Sequence, residues 1–129
     1  MEYINEPLKE KIQKFVETRP YISFVQLERH IGKERFSGDK LLALPHNPMV
    51  VLWANVSEEA IRAITELAAE RKIFFHPTPV ETYHSDGKVL NFPLAKKCIS
   101  YKTYKWFPVT LCVTPPKEKK ALASPCEFL

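Results

Sequence analysis

One stretch constrains this chain more than any other: Ser57 to Lys72 reads SEEAIRAITELAAERK and runs directly into IFFHPTPVETYHSDGKVLNFPL. A serine cap with two glutamates in the first turn suits the positive end of a helix dipole. Ala60, Ile61, Ile64, Leu67 and Ala68 recur with helical spacing, and Arg71 and Lys72 put positive charge at the other end. Ile73, Phe74 and Phe75 then begin an extended segment. Pro77 and Pro79 lack amide donors and so belong at an edge, bulge or bend. Asp86-Gly87 fits a two-residue type I′ loop. That register sets Tyr83 opposite Leu90 and Glu81 opposite Phe92, with His84 and Val89 on the other side. Before this helix, Met49–Val56 (MVVLWANV) is an apolar run of strand length with both faces suited to burial.

The N-terminal part predicts two short helices. Pro7 opens the first, with Leu8, Ile12, Phe15 and Val16 along one stripe, and Pro20 stops it. Ser23 and Gln26 form a capping box for the second, whose buried side takes Phe24, Leu27, His30 and Ile31 and whose C-cap is Gly32. Between Lys33 and Pro48 the signals are irregular. Leu41, Leu42 and Leu44 are read there as a short helical turn or a covered loop. At the other end, WFPVTLCV is expected as one further strand, with Pro108 at an edge position.

Two short helices, a strand, a third helix and a hairpin resemble a winged helix-turn-helix domain. The residues that carry the resemblance are SFVQLERHIG, SEEAIRAITELAAERKI and FFHPTPVETYHSDGKVLNFPL, within residues 6–94. The expected fold is therefore α+β and winged-helix-like: three helices, a small antiparallel sheet and a long Asp-Gly hairpin wing, in a single domain over residues 1–113. A basic, proline-containing tail follows over 114–129. The chain departs from the family in the roughly 24 residues, Lys33 to Val56, between its second and third helices.

The resemblance implies DNA recognition by the third helix. Its charges argue otherwise, because Glu58, Glu59, Glu66 and Glu70 lie outside the core stripe and would repel phosphate. Charge along the chain points elsewhere. Residues 1–50 carry eight Lys/Arg and seven Asp/Glu, residues 51–90 four and six, and residues 91–129 seven and two, so +1, −2 and +5 make the total of +4. The nucleic-acid-binding candidates are accordingly Lys96, Lys97, Tyr101, Lys102, Tyr104, Lys105 and Trp106, where lysines meet phosphates and aromatics stack on bases. Lys88 joins them from the wing tip. Arg29, Lys33 and Arg35 form a second small patch.

Nothing in the sequence assembles a catalytic centre. There is no P-loop, GxSxG or HExxH motif, and His46, His76, His84, Cys98 and Cys112 lack zinc-like spacing. No enzyme activity, metal or cofactor is expected. Three cysteines (Cys98, Cys112, Cys126) with no export signal suggest free thiols in the cytoplasm. No apolar run spans a membrane. The expectation is a small cytoplasmic nucleic-acid-binding regulator, for instance of transcription, or an accessory factor. The alternative is a protein–protein interaction module, homodimeric or with another partner, on the same scaffold.

Overall fold

The computed structural model describes residues 7–45, 47–95 and 101–115. It is an α+β fold. Its elements run α1 (Leu8–Glu17), α2 (Phe24–Ile31), α3 (Lys33–Phe36), β1 (Ser37–Leu44), β2 (Asn47–Val56), α4 (Glu58–Ala69), β3 (Phe74–Pro77), α5 (Glu81–Asp86), β4 (Lys105–Trp106) and β5 (Val109–Cys112). No helix among the described residues is long and apolar enough to cross a membrane.

The three longer helices form where the sequence places them. In α1, Leu8, Ile12 and Val16 are buried. The Ser23 hydroxyl accepts from the Gln26 amide while Gln26 Oε1 accepts from the Ser23 amide, the reciprocal capping box. Gly32 (φ +98°) ends α2. Ser57 caps α4 by accepting from the Ala60 amide at 3.1 Å and donates to the Arg35 carbonyl at 2.6 Å, tying α3 to α4. The end of α4 is a Schellman turn: the Lys72 amide reaches the Leu67 carbonyl and the Arg71 amide that of Ala68, with Arg71 in the left-handed region at φ +60°.

Three expectations are corrected. Residues 37–44 form neither a helical turn nor a loop: they are β1, paired antiparallel with β2 through several register irregularities. Leu42 and Leu44 are buried from this strand, so the apolar leucines mark a half-covered sheet. The Asp-Gly hairpin is absent. Residues 81–86 are instead a short helix, and Gly87 (φ +90°) terminates it, with the Gly87 and Lys88 amides reaching the His84 and Tyr83 carbonyls. A glycine that tolerates positive φ serves a helix end as well as a turn. Burial of Tyr83 decides the outcome, as described below. Finally, WFPVTLCV is two strands in two sheets. Pro108 cannot continue a ladder, so the chain leaves one sheet after β4 and enters the other as β5.

The larger sheet has the order β1-β2-β4, with β4 parallel to β2 and bridged on its other side by Leu94. In the smaller, β3 and β5 are antiparallel, and Ile22 bridges to Leu111 on the far side of β5. Ile22, Leu111 and Phe75 therefore lie in one cross-strand row, and all three belong to the core. His76 and Thr110 are paired one residue along, on the opposite face. α1 packs against α4, α2 and β5.

At the centre lies an aromatic cluster. Trp53 meets Tyr83 at 5.1 Å, Phe24 at 5.9 Å and Trp106 at 6.1 Å between ring centroids. The Tyr83 hydroxyl accepts from the Phe24 amide at 3.1 Å and donates to the Val109 carbonyl at 2.6 Å. One buried phenol thus joins α2, α5 and β5. Burial also raises its pKa well above the ordinary tyrosine value.

Candidate functional site

The aromatic and basic residues expected to bind nucleic acid do not form one surface. Trp106 is 1 % exposed and packs edge-on against Tyr83 at 5.3 Å, so it is a core residue and not a base-stacking platform. Its indole nitrogen is the one buried side-chain polar atom without a hydrogen-bond partner among the described residues. Tyr101 is half-buried beneath the Lys105 ammonium, 5.7 Å from its ring centroid. Tyr104 is exposed, with its ring 5.7 Å from that of Phe92. Lys102 is exposed. Lys96, Lys97 and Cys98 lie outside the described residues, as do His46 and residues 116–129 of the tail.

What the structure does assemble is Lys88, expected at a wing tip, with most of the secondary patch. Arg29, Lys33 and Lys88 line one open pocket of about 460 Å³, together with Val25, Glu28 and the glycines Gly32 and Gly87. The ends of α2 and α5 meet here. Arg29 Nη2 donates to the Asp86 carbonyl at the end of α5, at 2.9 Å. Lys88 Nζ lies 3.0 Å from each oxygen of the Glu28 carboxylate, which also accepts from the Ser37 hydroxyl at 3.3 Å. The pocket therefore holds three cations against one carboxylate, and Lys33 is exposed at its rim. Neither glycine is crowded: a Cβ on Gly32 would meet nothing within 4 Å, and one on Gly87 only the Arg29 guanidinium at 4.0 Å.

Glu28 was not a sequence candidate, because a lone glutamate on a helix reads as a solvated residue. It is 8 % exposed. The signal available in the sequence was the pair of glycine helix ends, which leave room for long side chains to converge. Arg35 stands apart from the pocket and pairs with Glu59 at 2.7 Å.

The acidic face of α4 is knitted into the fold. Glu58 pairs with Arg62, Glu59 with Arg35, and Glu66 and Glu70 with Lys9 of α1 at 3.3 and 2.6 Å. The Lys9 ammonium holds the Glu70 carboxyl below its ordinary pKa, and Glu70 with Glu66 raises that of Lys9. His76 Nε2 lies 2.6 Å from the Thr114 carbonyl. Among the described residues, no group of three or more His, Cys, Asp or Glu is placed to hold a metal ion. Comparison with protein families, with curated proteins and with solved structures finds no match.

Proposed function

We propose that this is a small cytoplasmic nucleic-acid-binding protein on a winged-helix-like scaffold, a regulator or accessory factor rather than an enzyme. Phosphates are met by Arg29, Lys33 and Lys88, and not by the acidic α4. The observation that carries the proposal is the convergence of these three cations, from two distant parts of the sequence, around one open pocket. Arginine keeps donors to spare after the single bond to Asp86, and an exposed lysine can release condensed counterions on contact with a phosphate. Lys102 and Lys105 supply a second contact along the strand. The winged-helix part is supported by α1, α2 and α4 preceding the paired strands β3 and β5.

The test is anisotropy of labelled duplex and single-stranded oligonucleotides across a salt series. Lys33→Glu and Lys88→Gln should each lower the salt slope by about one phosphate contact. Lys102→Glu with Lys105→Glu tests the second contact separately. Binding without a salt slope, or a slope that neither pair changes, overturns the reading.

A second reading, a protein-interaction module, is favoured by one observation. Leu94 and Tyr104 are 40 % and 41 % exposed, and Phe92 packs on Tyr104. Light scattering checks it: a strict monomer whose Tyr104→Ser variant retains every partner counts against it.

A further inference from the structure

On the other face of α2 lies a second pocket, of about 410 Å³, which neither the charge pattern nor the core requires. Its lining is mixed, with polar groups from Ser23 and Gln26 at the start of α2, Asp86 at the end of α5, and Thr110 of β5. Tyr21 and His76 bring aromatic surface, their rings edge to face at 5.2 Å. His76 is anchored from behind by the Thr114 carbonyl.

Two features separate this pocket from an ordinary polar crease. Thr110 lines the pocket from β5, and its hydroxyl, which makes no hydrogen bond among the described residues, is not sealed in the core but reachable from the pocket. The second feature is the donor–acceptor arrangement. Gln26 spends its oxygen on the Ser23 amide, which holds the side chain and leaves both amide N–H donors without a partner among the described residues. Asp86 accepts from the Ser23 hydroxyl through one oxygen at 2.6 Å, and its other oxygen has no partner among the described residues.

We infer that this pocket binds a nucleobase, either as a free nucleoside or as an unstacked base of a single strand. A base offers a flat face to Tyr21, N–H donors to Asp86 and ring acceptors to Gln26 and Thr110. A simple cation would satisfy Asp86 but face the Gln26 amide donors, and a bare sugar would leave the aromatic surface unused. The volume lies within the ordinary range for ligand pockets, roughly 300–1,000 Å³. The single-strand case rests on the nucleic-acid reading above. The free-nucleoside case does not.

The experiment is calorimetric titration of the full chain with adenosine, guanosine, cytidine, ribose and putrescine, alongside anisotropy with an unstructured single-stranded oligonucleotide. Tyr21→Ala, Asp86→Asn and Thr110→Val are compared with the parent. Tyr21 is exposed, and Thr110→Val keeps the shape of a side chain that gives up no bond, so unfolding midpoints should hold. The expected result is nucleoside binding weakened at least five-fold by Tyr21→Ala and Asp86→Asn and about two- to ten-fold by Thr110→Val, with ribose and putrescine inert. Oligonucleotide binding that falls in the same variants while free nucleosides fail to bind assigns the base to a strand and also supports the inference. Putrescine binding without nucleoside binding overturns it. So does salt-dependent oligonucleotide binding that all three variants leave unchanged, a result under which the Arg29–Lys33–Lys88 reading stands. Nucleoside binding lost in these variants, with no oligonucleotide binding at all, overturns that reading alone.

Discussion

Tyr83 is the residue on which the interior depends most. Its hydroxyl sits between the Phe24 amide and the Val109 carbonyl, so Tyr83→Phe leaves a buried donor and a buried acceptor unmatched. The expected loss is about 1–3 kcal/mol, read as a lower urea midpoint with an unchanged slope. The sign of its pH dependence follows from burial, which raises the folded pKa above the unfolded value of 10.0. The stabilising contribution is complete below pH 10 and drains away as pH rises above it. Alkaline titration of stability should therefore show a decline in the parent that Tyr83→Phe lacks. Other residues misled for a physical reason. Trp106 and Tyr101 stand in a lysine-rich stretch, and sequence proximity to charge does not reveal which way an aromatic ring turns.

The elements show how far local chemistry reaches. Apolar stripes specified α1, α2 and α4, and serine caps the last two as well, because a cap and a helical apolar period are satisfied within a few residues. Strand β2 was legible as an unbroken apolar run. The β1 strand was not, since its partner lies in the next element and its pairing is irregular. Gly38 sits in that irregularity. A Cβ there would lie 2.6 Å from the Ser57 Cα and 2.9 Å from the Val56 carbonyl oxygen, both backbone atoms unable to give way cheaply. Gly38→Ala should cost about 1–3 kcal/mol by thermal unfolding, although Gly38 itself is exposed. At the end of α5 the demand is on φ rather than space, and Gly87→Ala should cost about 1 kcal/mol. The hairpin expectation failed there because alternation alone could not show that Tyr83 had a slot among Trp53, Phe24 and Trp106 to fill. As for the candidate site, its three cations were named from sequence; the pocket that collects them and the buried Glu28 beneath were not, because both arise only when α2 and α5 meet.

In the whole molecule, charge acts mainly between layers. Lys9 of α1 holds Glu66 and Glu70 of α4, and the carboxyl of Glu70 is pushed below 4.5. Its contribution is present above that pH and is lost as pH falls through the lowered value. Lys9→Ala should flatten the acid limb of the stability profile, measured by denaturation between pH 6 and pH 3 and diminished in high salt.

The place of β5 has a consequence for the order of assembly. Leu111 is hydrogen-bonded to Ile22 and paired beside Phe75, and the Val109 carbonyl accepts the hydrogen bond of the Tyr83 hydroxyl. The strand that closes the smaller sheet is thus the last described strand to leave the ribosome, while the groups awaiting it are made much earlier. Until it arrives, α1 can close on α4, but Ile22, which leads into α2, has no strand to bridge to. Non-local pairing of this kind folds slowly. A chain truncated at Lys105 should remain open to proteolysis around Ile22 and its second helix, and extension through Cys112 should end that vulnerability in one step.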